Sequence, residues 1–185
     1  MAIEVEKMKL EGVLLIHSHV ANDERGYYRK NFEKDIFIQN GLDFKVTESS
    51  DIYSRKGTIR GLHYQILESQ AKLLHVIKGV IYDVAVDLRR DSATFGQWSG
   101  EILREHDHKS LYIPEGFAHG FLALEDETIF SYQCSGRYIP ESCGGIYYND
   151  KNLNIQWPLD NIDKVILSEK DAHAMSFKEY CKKYD

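Results

Sequence analysis

The sequence predicts a mainly β fold, an antiparallel sandwich or barrel, from three observations. Short apolar or alternating runs rich in Val, Ile, Tyr and Phe recur along the chain, broken by Gly, Asn and Asp. Helical spacing is scarce. No strand–helix–strand alternation points to a parallel sheet. In order, the strand runs fall at 13–16, 44–48, 58–64, 73–77, 80–88, 98–103, 110–113, 120–124 and 128–134. Phe32, Ile36 and Phe37 have helical spacing ahead of an Asn40-Gly41 stop. Ser176 and Glu179 form a capping-box pattern that opens a C-terminal helix. Neither helix looks like a separate domain, and with no repeat or linker the chain reads as one domain over 1–185.

Composition narrows the function. At 185 residues the chain can bury one sizeable core but cannot hold two independent enzymes. With 43% hydrophobic and 28% charged residues, three prolines and no low-complexity tract, disordered and fibrous classes fall away. Its 23 basic and 29 acidic residues leave a formal charge of -6, and the basic ones form no run, which argues against a nucleic-acid or membrane-surface binder. The longest purely aliphatic stretch is Val13-Leu14-Leu15-Ile16, far short of the roughly 20 apolar residues that span a bilayer. No signal-peptide pattern is visible at residues 1–9, so the expected location is cytoplasmic. Cys134, Cys143 and Cys181 are odd in number and lack paired-ligand spacing, which fits a reducing compartment better than a disulfide framework or zinc site.

Four segments carry chemistry. Ile59-Arg60-Gly61-Leu62-His63-Tyr64-Gln65, followed by Gln70-Ala71-Lys72-Leu73, offers a base, an anion clamp and a cationic carbonyl stabiliser if neighbouring strands bring them together. Taken alone, it leaves an equal reading of His63 as a satisfied strand histidine and Lys72 as an edge-strand charge. Pro114-Glu115-Gly116-Phe117-Ala118-His119 resembles the second motif of the cupins, small barrels that often hold a metal. The first cupin motif, His-x-His with a carboxylate, has no match here. His63, His75 and His119 stand singly and Lys72 would repel a cation, so no metal is expected. Tyr132 and Tyr138 sit six apart at the end of a strand, where a buried tyrosine is usually a core residue with one hydrogen bond. Leu167-Ser168-Glu169-Lys170-Asp171 is a polar turn that could put a carboxylate behind a histidine.

Together these segments resemble the dTDP-4-dehydrorhamnose 3,5-epimerases. The likeness runs nearly end to end and in order: Asp23 to Tyr28, Gly57 to Gln65, Gln70 to Leu73, Asp83 to Arg89, Pro114 to Phe121, Tyr132 to Tyr138, Asn149-Asp150, Trp157-Pro158 and Leu167 to Asp171. It implies a metal-free, cofactor-free, cupin-like antiparallel jelly roll with short flanking helices, acting as a homodimer. The implied substrate is a nucleotide-diphosphate sugar with a 4-keto-6-deoxy hexose. A C4 ketone acidifies the C3 and C5 protons, so epimerisation needs a base, an enolate stabiliser and an acid on the opposite face. By resemblance His63 is the base, Asp171 its partner, Lys72 the enolate stabiliser and Tyr132 the acid. Arg25 and Arg60 match diphosphate-holding positions, a task suited to the guanidinium fork. His119 matches a residue of the sugar pocket, and Tyr138 an aromatic that stacks on the nucleobase.

Departures from the family cluster around the nucleotide. Lys30 stands where a glutamate is usual. Glu48, Ser50 and Ile52 replace Gln-x-Asn-x-Ser, and Cys143 replaces a glutamate. Lys30, Glu48, Ser50 and Cys143 therefore join the expected binding residues, with two readings of the change. A carboxylate at Glu48 suits an amine-bearing base, which would make the carrier CDP or GDP. Alternatively, Lys30 and Glu48 pair with each other and thymine recognition survives. Relatives act at C3 and C5, C3 alone or C5 alone, and spacing does not choose among them. Sugar 3,4-ketoisomerases share the cupin fold but fit the Tyr132 and Arg-Gly-Leu-His-Tyr-Gln matches less well. A non-catalytic nucleotide-sugar-binding cupin and a metal-dependent cupin enzyme are the rivals from other classes.

Overall fold

The computed structural model describes residues 3–184. Among the described residues thirteen strands follow in chain order. They are β1 (Glu4–Lys7), β2 (Leu14–His17), β3 (His19–Asp23), β4 (Gly26–Lys30), β5 (Glu48–Ser54), β6 (Ile59–Gln65), β7 (Lys72–Lys78), β8 (Val80–Asp87), β9 (Trp98–Arg104), β10 (Lys109–Ile113), β11 (Phe117–Ala123), β12 (Thr128–Cys134) and β13 (Cys143–Gly145). The α-helices are α1 (Lys34–Gln39), α2 (Glu169–Ala172) and α3 (Phe177–Lys183). No helix among the described residues is long and apolar enough to cross a membrane.

Two antiparallel sheets build a cupin-like jelly roll, as expected. One has six strands in the order β1-β2-β10-β7-β12-β5, the other five in the order β13-β6-β11-β8-β9, and β3-β4 form a separate hairpin. Alternate residues of each strand face the partner sheet. Leu74, Val76, Leu111 and Phe130 of the larger sheet thereby meet Ile81, Ala85, Leu103 and Phe121 of the smaller one in a buried core. Where this core ends, Phe121 and Phe130 stand edge to face with ring centroids 4.5 Å apart. Beyond them the sandwich opens into a cavity lined from both sheets.

Each outer face is covered only in part. Ile59, Leu62, Val84 and Val86 bury the back of the smaller sheet against the C-terminal segment, including Ile146, Trp157 and Tyr180. Phe37 of α1 packs with Leu14, Ile16, Phe44 and Tyr112 on the larger sheet. The Ser176–Glu179 capping box forms as expected and starts α3.

One strand expectation is overturned. Residues 44–47 are not strand; Phe44 instead drops into the α1 cluster, and the strand begins at Glu48. β5 itself, Glu-Ser-Ser-Asp-Ile-Tyr-Ser, escapes an apolar-alternation reading because its inward side lines a cavity and not a core. The strands β1, β3, β4 and β13 are likewise additions, short or polar elements without a buried face to mark them.

Candidate active site

The cavity measures about 1160 Å³, a little above the range usual for small-ligand pockets and ample for a nucleotide sugar. A bulge in β6 shapes one wall. His63 pairs with His119 and Arg60 with Phe121, so three steps on β6 answer two on β11. Arg60 and His63 would alternate onto opposite faces of an unbroken strand, and the extra residue returns both to the cavity. Gly61 permits this. It lies at φ 123°, and a Cβ there would meet the Gly120 Cα at 2.5 Å.

His63 Nε2 hydrogen-bonds Asp171 Oδ1 at 2.6 Å, leaving Nδ1 for the cavity. Asp171 reaches this place because the Ser168 side chain caps α2, accepting from the Asp171 N–H at 3.0 Å. Burial opposes the Asp171 charge, but hydrogen bonds from His63, Ser168 and the Gly61 backbone overcome it and hold the carboxyl below its ordinary range. A second pair stands alongside: His119 Nε2 and Asp83 Oδ2 are 2.8 Å apart. In the sequence Asp83 reads only as one polar position of the 80–88 strand run and the start of the Asp83 to Arg89 match. The second Asp83 oxygen is buried without a hydrogen-bond partner among the described residues.

The facing sheet supplies Lys72 and Tyr132. Lys72 makes no hydrogen bond or ion pair among the described residues; burial pushes its ammonium down, against the pull of Cys134, Cys143, Glu48 and Asp83. Burial is also the main force raising the Tyr132 phenol, so it stays protonated. The Cys134 thiol beside them is pushed up to about 11, chiefly by burial, and is an unreactive spacer.

At the rim, Arg60 donates to the Tyr53 carbonyl at 3.2 Å and toward Ser54 Oγ at 3.4 Å, keeping other N–H groups free. Tyr138 is half exposed. Its loop is organised by Gln65, another residue without an assigned part in the sequence reading. Gln65 Nε2 donates to the carbonyls of Leu67, Glu68 and Arg137 at 2.8–2.9 Å, and Oε1 accepts from the Ile139 N–H at 2.9 Å. The Cys143 thiol lies 3.3 Å from the Ile139 carbonyl and 3.5 Å from Gln65 Oε1, either of which can accept its one proton. Glu48, Ser50 and Cys143 line the cavity with the others.

Arg25 and Lys30 do not. Both lie on the β3-β4 hairpin, where Arg25 clamps Asp23 and Lys30 pairs with Glu33 at 2.6 Å. Of the two readings of these departures, the one that pairs Lys30 with Glu48 is not met within one chain, because Glu33 lies three residues away and captures the ammonium. Among the described residues, no group of three or more His, Cys, Asp or Glu side chains is placed to hold a metal ion.

A histidine with its carboxylate, an ammonium unpaired among the described residues and a phenol thus share one nucleotide-sized cavity. The family model described as dTDP-4-dehydrorhamnose 3,5-epimerase matches residues 7–179. The chain belongs to that epimerase family. The dTDP-4-dehydrorhamnose 3,5-epimerase of Methanothermobacter thermautotrophicus is 44% identical over 173 residues, 94% of each chain. Among solved structures, a dTDP-6-deoxy-D-glucose-3,5-epimerase from Legionella pneumophila Philadelphia 1, in complex with dTDP-4-keto-L-rhamnose, superposes with TM-score 0.91. It is 38% identical, the match covering 95% of this chain and 93% of that one. A 3'-monoepimerase from Streptomyces bikiniensis bound to dTDP-quinovose superposes with TM-score 0.90 at 30% identity, over 96% of this chain and 89% of that one.

Proposed function

We propose that this protein is an isomerase that epimerises a dTDP-linked 4-keto-6-deoxy hexose at C3 and C5 without a cofactor. The observation that carries the mechanism is the placement of His63 and Tyr132 on opposite sheets, facing one cavity. Inversion requires a proton to leave one face of a carbon and return to the other. His63, steadied by Asp171, takes the proton α to the ketone. Charge then develops on the C4 oxygen, and the unpaired Lys72 ammonium stabilises it. The protonated Tyr132 phenol delivers a proton from the far side.

Arg60 holds the diphosphate through its free N–H groups, Tyr138 stacks on the base, and His119, fixed by Asp83, supports the sugar. Arg25 acts on a homodimer reading: the β3-β4 hairpin, with Tyr27 and Tyr28 exposed, carries it to the site of a second copy. Such a dimer would be seen by light scattering, and Arg25→Ala should raise KM with little change in kcat.

The deciding experiment is proton NMR of dTDP-4-keto-6-deoxyglucose in D2O with enzyme and a ketoreductase to trap product. Wild type should place deuterium at C3 and C5 of an L-sugar. Tyr132→Phe should still exchange protons but lose inversion, and full epimerase activity in that variant would refute the role. The fold-sharing 3'-monoepimerase makes the count of labelled centres informative. A single label would mark a restricted epimerase. Exchange only with CDP- or GDP-linked sugars would mark a different carrier, and none at all a binding protein.

A further inference from the structure

Three side chains form a row across the larger sheet. Cys134 on β12 stands opposite Glu48 on β5 and, on its other side, opposite Lys72 on β7. With strands about 4.8 Å apart, the outer two Cα atoms are about 10 Å apart. Both outer side chains line the cavity. Neither Glu48 nor Lys72 has a hydrogen bond or ion pair among the described residues, so the carboxylate faces the ammonium across a thiol without capturing it.

We propose that Glu48 is the counter-charge of the Lys72 ammonium, a positioning residue that acts on the reaction through Lys72. This rests on the epimerase reading for the part Lys72 plays. A cation in a poorly hydrated wall tends to shed its proton, and a neutral amine would lose most of its hold on an enolate. The other groups near Lys72 cannot fill the same place. Asp83 on β8 is tied to His119, Cys134 and Cys143 carry thiols, Tyr132 is a protonated phenol, and Ile113 beside it on β10 is apolar. A direct Glu48–Lys72 bridge would neutralise the ammonium as a ligand. One strand of separation leaves both heads open while keeping much of the attraction, since the cavity wall screens less than water.

The experiment is nitrogen-15 NMR of the lysine side chains of the ligand-free enzyme across alkaline pH. The Lys72 signal is assigned by its loss in Lys72→Met. Glu48→Gln should make Lys72 give up its proton about one pH unit earlier, roughly tenfold in proton affinity. Glu48→Asp should restore most of the difference. The alkaline limb of deuterium exchange into the keto sugar should move by the same amount. An unmoved Lys72 titration in Glu48→Gln overturns the proposal, whether KM rises, as for a direct ligand contact, or stays. Failure of the epimerase reading looks different: wild type would incorporate no deuterium, while the nitrogen titration would still judge Glu48.

Discussion

Two histidine–aspartate pairs sit side by side in this cavity, His63–Asp171 and His119–Asp83, directly opposite one another on β6 and β11. Their chemistry on paper is identical, but their settings differ. The His63 ring is 45% exposed, and its carboxylate arrives from a capped helical turn 108 residues away. The His119 ring is only 11% exposed, and Asp83 comes from the middle of a central strand, fully buried. A proton acceptor needs access to its substrate, whereas a wall needs a fixed shape. On the proposed mechanism the open ring of the first pair suits proton transfer, and the buried ring of the second suits holding the wall in place.

The sharpest way to break this comparison is to remove each ring. His63→Asn should lower deuterium exchange by 10²–10⁴, the range for loss of a general base, whereas His119→Asn should mainly raise KM. Equal losses of exchange in both variants would erase the distinction. Removing the carboxylates should reverse the order when stability is read. Asp83→Asn leaves a buried amide where a charged acceptor met His119 and should cost about 1–3 kcal/mol in denaturant unfolding. Asp171→Asn should cost less stability and more exchange rate.

A third histidine extends the comparison with a smaller effect. His75 has an amide and not a carboxylate beside it, Asn31 Nδ2 at 3.1 Å, and burial with the nearby Arg29 charge drives it down to about 4. Between the unfolded value of about 6.5 and 4 the unfolded chain binds the extra proton. Stability is therefore complete above about 6.5 and falls as pH drops toward 4, by at most about 3 kcal/mol. His75→Gln should flatten that acid slope in urea unfolding, and an unchanged slope would remove His75 as its source.

Legibility in the sequence followed the same division. β12 was readable to the residue because Thr128, Phe130 and Cys134 point inward and are buried. His63, Lys72, Tyr132 and Asp171 come together through matched motifs, since the local segment alone leaves a catalytic and a plain strand reading of His63 and Lys72 level. β5 was missed because a strand that walls a cavity has no apolar stripe to betray it. Asp83 and Gln65 were passed over for a related reason: each acts by holding another residue, and a partner 36 or 74 positions away leaves no local trace. Arg25 and Lys30 were grouped with the cavity by motif order. Motif order carries no information about a hairpin that stands apart from both sheets.

The bulge in β6 also says something about ideal backbones. An extra residue breaks the ladder there, and the Gly61 backbone amide is among the groups that hold the Asp171 carboxyl below its ordinary range. Deleting Gly61 would regularise the strand and still leave Arg60 and His63 on the same face. The tidier sheet would have a less well-held carboxylate behind His63, so a designer who smoothed this irregularity for stability would loosen the candidate site.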